Sequence, residues 1–353
     1  MTDPITNARS AYLDNAKGIL ITLVVFSHVM WEAGLHKMPG WSSFYLLIFA
    51  FHMPAFAFVS GYLTRSMPLA SYRLKAAARL LAVYMVFQIL HNLVRYSMSG
   101  VVDDKRLFFI YPAFTLWWLV SLAVWRLAIP LFSKGDSTRD AVLSILAALG
   151  VAVLSGYLIT DGYWLTISRT GYFLPFFVAG HRASRHGWKI RMGPPARALS
   201  VGLLALAWFT LSTFDSFPIF QWLIGARSYA QLGDVTLVSG IQRLAILLGS
   251  GTLVVAFMQL VPDKKLSITP LGRTSLSVYV WHGLLVYAGH EAGLFGPTKG
   301  SWLWAVTITA MLVLATGFGP LAEATSRALQ GRRATPSPEQ SQDDTSVEHS
   351  ITT

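Results

Sequence analysis

The sequence predicts an all-α polytopic membrane protein with about ten transmembrane helices. Hydrophobic residues make up 54% of the 353 and charged ones only 13%, and the mean hydropathy is +0.50. Both values lie far from the balance of a soluble domain. The apolar residues also gather into runs long enough to cross about 30 Å of hydrocarbon. These runs lie near 16–35, 42–64, 77–98, 108–132, 140–160, 171–183, 197–214, 236–261, 272–290 and 302–328, and the sixth is short and interrupted by Pro175.

The segments between the runs set the expected orientation. The formal net charge of +11 would point to nucleic acid in a soluble chain. Here Lys and Arg sit mostly in short loops, so they read as topology and no nucleic-acid partner is expected. Eighteen of them, including Arg9, Arg73, Arg182 and Arg273, fall on one side, and six, including Lys37, Lys105 and Arg227, on the other. The basic side is expected to be the cytoplasm, with both termini there and an even number of spans. No small-residue cleavage site follows the first run, so that helix is expected to remain. The organisation read from this is a cytoplasmic segment 1–15, one membrane domain 16–329, and a Ser/Thr/Pro/Gln-rich tail 330–353 that cannot bury a core. The absence of cysteine excludes disulfides, thiolate metal sites and cysteine nucleophiles. No metal site is read.

Ionisable residues inside apolar runs mark candidate function, because each costs several kcal/mol on most scales unless it faces protein or water. Lys17 and His28 have ten residues between them in the first run. Eleven helical steps return them to within about 20° of one face, about 16 Å apart along the axis. Lys17 then lies near the cytoplasmic interface and His28 in the deep membrane. An imidazole there would take a proton from an acceptor hydroxyl, with Glu32 one turn on as its orienting or charge-stabilising partner. The plainer alternative makes His28 a hydrogen-bonded structural group and Lys17 a snorkelling side chain.

Further polar groups follow the same logic. Gln88, His91, Asn92 and Arg95 form a stripe on one face of the third run. Hydrogen bonding between helices explains Gln88 and Asn92, whereas the Arg95 guanidinium suits a sugar hydroxyl or a phosphate. Ser275, Tyr279 and His282 share a face of the ninth run, and His282 falls at the depth of His28, so one polar cavity is expected between them. Arg73, Lys75 and Arg79 form a basic cluster at the cytoplasmic side, read either as positive-inside bias or as a site for a phosphorylated donor. Trp117, Trp118, Tyr163, Trp164 and Tyr172 would suit stacking on sugars, but an interfacial aromatic belt accounts for most of them.

Five blocks resemble, in order, the membrane acyltransferase-3 family, most closely its fucose 4-O-acetylase-like acetyltransferases. They are Tyr12-Leu-Asp-Asn-Ala-Lys17 followed by Ser27-His28, the stretch from Phe51 to Leu63, Thr115-Leu-Trp-Trp-Leu119, the stretch from Ser168 to Gly180, and the stretch from Leu271 to His282. The resemblance implies a ten-helix core that moves an acyl group, usually acetyl, from cytoplasmic acyl-CoA to a hydroxyl of a carbohydrate, glycolipid or lipid-linked acceptor. It implies no tightly bound cofactor, acetyl-CoA serving as donor substrate. His28 matches the family's histidine, read as base or acyl carrier, and Lys17 stands at its basic partner. Arg73, Lys75 and Arg79 match its acyl-CoA cluster, without strict Arg-x-x-Arg spacing. His91, Asn92, Arg95, Arg169, Tyr279 and His282 are the candidates for acceptor binding. The large hydrolase-like domain fused to some members is lacking, so transfer is expected to finish here or to involve other envelope-biosynthesis proteins. The expected location is the cytoplasmic membrane. The competing function is a proton-coupled transporter or exporter of an envelope precursor, with the same polar groups lining its path.

Overall fold

The fold is described from a computed structural model. The described residues are 11–64, 70–100, 109–159, 161, 163–188, 192–213, 216–295 and 301–330. Most of the expected N-terminal segment 1–15 and nearly all of the tail 330–353 lie outside them.

Among the described residues there are helices and no strand: α1 (Ala11–Glu32), α2 (Trp41–Leu63), α3 (Ala70–Ser99), α4 (Trp117–Ala128), α5 (Thr138–Leu158), α6 (Ile167–Arg185), α7 (Pro194–Leu211), α8 (Ser216–Leu223), α9 (Tyr229–Leu232), α10 (Leu237–Leu260), α11 (Thr269–Arg273), α12 (Ser275–Glu291), α13 (Trp302–Gly317) and α14 (Pro320–Gln330). Six of them, α1, α2, α3, α5, α7 and α10, are long and apolar enough to cross a membrane, and α4 and α13 are shorter apolar helices. This is an all-α, multi-pass membrane protein. Each predicted run falls on a helix, with three refinements. The fourth begins at Trp117 rather than 108, the ninth breaks at Thr274 into α11 and α12, and the tenth breaks after Gly317 into α13 and α14. Pro175 lies inside an unbroken α6 of 19 residues; a membrane helix tolerates proline when neighbouring helices cover the freed backbone.

Burial sorts the helices into centre and shell. The most apolar window of α2 is 78% buried and that of α7 only 6%, so α2 is an interior helix and α7 turns Leu199, Val201, Leu206 and Phe209 outward. α2 packs most extensively on α6, and α1 lies against α2, α11, α12 and α13. Two glycines explain the α2–α6 pairing. A Cβ on Gly61 would fall 1.9 Å from the Phe177 carbonyl oxygen, and one on Gly180 would fall 1.9 Å from that of Phe58. Only glycine lets the two backbones touch, the usual device where apolar side chains gain nothing by leaving lipid.

α1 is fixed at its start by polar side chains. Asn15 donates to the Pro262 and Lys264 carbonyls at 2.9 and 2.8 Å and accepts from the Thr269 hydroxyl at 2.5 Å. Asp14, 2% exposed, pairs with Lys17 at 2.9 Å and with Arg273 at 3.3 Å. The Asp-Asn of the first block thus docks α1 onto α11, where Gly272 passes so close that a Cβ would meet the Asp14 carbonyl oxygen at 1.8 Å.

Candidate active site

α1 and α12 bring two histidines face to face. His28 Nδ1 lies 3.0 Å from His282 Nε2, and the rings stack with centroids 5.3 Å apart. His282 is fully buried, and its Nδ1 lies 2.8 Å from the Val278 carbonyl oxygen one turn back. That carbonyl can only accept, so Nδ1 of His282 carries the proton and its Nε2, in a neutral ring, accepts. The proton shared with His28 therefore belongs to His28 Nδ1. Nε2 of His28 keeps its lone pair, which is the arrangement a general base or nucleophile requires.

His28 opens onto a cavity of about 340 Å³, whose wall includes His52, Trp117, Arg169, Gln221 and Tyr279. A second cavity of about 200 Å³ is lined by Lys17, Ser60, Thr64, Trp118, Arg126 and Ser275, among others. Val24, Met53 and Tyr279 line both. The two cavities thus abut end to end, one at the Lys17 end of α1 and one at the His28 end. Polar groups in an otherwise aromatic and aliphatic wall are the usual make-up of a small-molecule site. The Arg169 Nε and the Gln221 Oε1 are buried without a hydrogen-bond partner.

The rim of the larger cavity is built from two strained loops. Phe109 and Phe114 in one, and Leu165 and Thr166 in the other, have φ between 41° and 57°, a left-handed backbone that costs a non-glycine residue about 1–3 kcal/mol and collects at functional sites. The Phe114 ring lies tilted against His28, centroids 4.9 Å apart, and Leu165 with Thr166 delivers Arg169 in the first turn of α6. The loops are tied to each other. The Leu165 amide donates to the Ile110 carbonyl at 2.8 Å, and the Tyr111 hydroxyl donates to Asp161 at 2.5 Å. The bond to Asp161 raises the Tyr111 pKa, so the phenol keeps the proton it donates.

The predicted site residues divide by placement. Of the candidates, Lys17, His28, Arg169, Ser275 and Tyr279 line the cavities, and His282, on the face it shares with Ser275 and Tyr279, lines neither but meets His28 directly. Glu32 does not orient His28: one turn further along α1 it meets His290 of α12, with 2.6 Å between Oε2 and Nδ1, and His282 takes the orienting position. His91, Asn92 and Arg95 line neither cavity; His91 bonds the Phe87 carbonyl of its own helix. Gln88 on the same stripe holds the loop before α4, donating to the Tyr111 carbonyl and accepting from the Ala113 amide. Arg73, Lys75 and Arg79 also lie outside both walls. Trp117, Trp118 and Tyr172 are buried between helices rather than set in a belt, whereas Tyr163 and Trp164 are exposed. His52, Arg126, Gln221 and Arg227 line the cavities and were not singled out from sequence. His52 and Arg126 carried a usable signal, each being an ionisable residue inside an apolar run. Among the described residues, no group of three His, Cys, Asp or Glu could hold a metal ion.

No curated protein and no solved structure was found to match the chain. The acyltransferase-3 family model, described as an acyltransferase domain, matches residues 10–320. That span takes in α1 to α13 with both cavities and the histidine pair, and the chain belongs to this family of membrane acyltransferases.

Proposed function

We propose that the protein is an O-acyltransferase of the cytoplasmic membrane that takes an acyl group, most simply acetyl, from cytoplasmic acyl-CoA to a hydroxyl of an envelope glycan, glycolipid or lipid-linked acceptor. The observation that carries this reading is the hydrogen-bonded His28–His282 pair, with His28 on the wall of the larger of two abutting cavities, one turn along α1 from the shared Val24. The positive-inside count supports a cytoplasmic Lys17 end. On that orientation the donor thioester enters the smaller cavity past Lys17 and Arg126, its nucleotide near Arg73, Lys75 and Arg79, and the acceptor occupies the larger one.

In the transfer step, His28 Nε2 removes the proton of the acceptor hydroxyl as the oxygen attacks the thioester carbonyl. The carbon–sulfur bond then breaks, and the leaving thiolate takes the proton from His28. His282 positions the ring and shares the charge that His28 gains. Direct transfer is preferred to a passing acyl-imidazole because the abutting cavities, which share Val24, Met53 and Tyr279, let an acceptor hydroxyl at His28 meet a thioester held in the smaller cavity. The test compares envelope O-acetyl content in a host lacking the gene, complemented with wild type or with His28→Ala. Wild type restores O-acetyl groups and His28→Ala, present in the membrane at equal amount, does not. Equal restoration by both would end this reading, and restored movement of a precursor without acyl-CoA consumption would favour an exporter.

A further inference from the structure

Several arginines are drawn into the bundle, and two of them, Arg182 and Arg243, are clamps on backbone. Arg182 donates to the Gly135 and Lys134 carbonyls at 2.8 and 2.7 Å and to the Ser144 hydroxyl at 2.6 Å. Arg243 donates to the Arg227 carbonyl at 2.8 Å and to that of Ala152 at 3.3 Å. Arg169 differs. Among the described residues its side chain has no hydrogen-bond acceptor and no carboxylate partner, and its Nε is buried. Its Cζ sits over aromatic faces, 4.9 Å from the Trp117 ring centre and 5.9 Å from that of Tyr163. Arg227 lines the same cavity without an ion pair among the described residues, and the wall contains no Asp or Glu.

A guanidinium removed from bulk water needs compensating charge or hydrogen-bond acceptors. Stacking on Trp117 offsets only part of that cost, on the order of 2 kcal/mol for a desolvated cation–π contact. The remaining demand is for an anion, and the planar fork of arginine matches carboxylate and phosphate oxygens. The aromatic wall, with Trp31, Tyr45, Trp117 and Phe220, offers flat faces to a ring. We infer that the His28 cavity selects an anionic acceptor, a sugar-like ring bearing a carboxylate or a phosphate that Arg169 holds while a hydroxyl of the same ring faces His28. This rests on the reading of His28 as the group that meets the acceptor hydroxyl, and it narrows the acceptor class.

Binding, rather than turnover, separates this inference from that reading. Purified protein in nanodiscs is titrated with methyl β-glucuronide, glucose 6-phosphate and methyl β-glucoside, with inorganic phosphate as a fourth probe. At least one anionic sugar is expected to bind about tenfold tighter than the neutral glucoside, as befits a charge-assisted pair. Which sugar does so distinguishes a carboxylate from a phosphate, and phosphate alone is expected to bind more weakly than the preferred sugar. Arg169→Gln is expected to erase the preference, Arg169→Lys to keep part of it, and His28→Ala to leave it intact even though transfer is lost. The inference is overturned if the glucoside binds as well as both anionic sugars, if no sugar binds, or if the preference survives in an Arg169→Gln protein that melts like wild type. It is also overturned if binding shows no preference and Arg169→Gln lowers only kcat, which would assign the guanidinium to the transition state.

Discussion

His282 decides which nitrogen of His28 faces the cavity as a base. Its own Nδ1 is committed to the Val278 carbonyl at 2.8 Å, and this leaves Nε2 as the acceptor for His28. Replacing His282 by Ala removes that acceptor and lets the His28 ring turn, so kcat is expected to fall on the order of 100-fold while the donor KM stays within about threefold. His282→Gln places an amide oxygen near the position of Nε2 and is expected to recover part of kcat. A general structural defect would move KM and kcat together and show no such rescue. Glu32 is a contrasting case. Its partner is the exposed His290, and neither residue lines a cavity, so Glu32→Gln, which keeps an acceptor for the His290 ring, is expected to retain transfer activity within about threefold of wild type. The depth of His28 could be read from residue spacing because a helix fixes period and rise. Its partner lies 254 residues away, and no local pattern carries that distance; only the equal estimated depth of His282 pointed to it.

The helices hold these side chains through contacts that composition does not reveal. Gly61 and Gly180 sit at the two closest approaches of α2 and α6, and a methyl group at either would meet a carbonyl oxygen at 1.9 Å. Gly61→Ala and Gly180→Ala are each expected to destabilise the protein by at least about 1–3 kcal/mol, the range for overpacking; thermal unfolding in detergent checks this. Gly150 and Gly202, with nothing near their Cβ positions, are the matched controls and are expected to tolerate alanine. Asp14 is the corresponding anchor of α1, with Lys17 on one carboxylate oxygen and Arg273 on the other. Asp14→Asn is expected to lower the melting temperature, since a buried polar partner costs about 1–3 kcal/mol to remove. Apolar run length marked every crossing helix here because hydrocarbon thickness sets it. It did not mark the breaks at Thr274 and after Gly317, which are set by one or two residues within otherwise helix-length segments, nor the polar role of Asp14 and Asn15, which resemble ordinary loop residues until the segment 262–273 folds over them.

The bundle as a whole places a cavity at each end of α1, meeting at Val24, Met53 and Tyr279. α1, α2 and α12 supply those three residues, and α4 contributes Trp117 to one cavity and Trp118 to the other, so these four helices line both cavities, while α6 and α8 add Arg169 and Gln221 to the larger one. Sequence pattern placed these helices in the membrane, and family motifs lie on all four. The pattern did not say which polar residues face inward: the stripe of His91, Asn92 and Arg95 scores like a site by periodicity, yet it lines neither cavity, whereas His52 and Arg126 do. Inward direction is a property of packing between distant segments, and a single helix period cannot supply it.

The central claim is that the His28 nitrogen on the wall of the larger cavity performs acyl transfer. Purified wild type and His28→Ala, shown to melt alike, are each supplied with acetyl-labelled acetyl-CoA and with an extract of membrane glycans and lipids. Wild type is expected to move label into an alkali-labile ester and release free CoA in equal amount, and His28→Ala to do neither above background. Equal label transfer by the two proteins would contradict it.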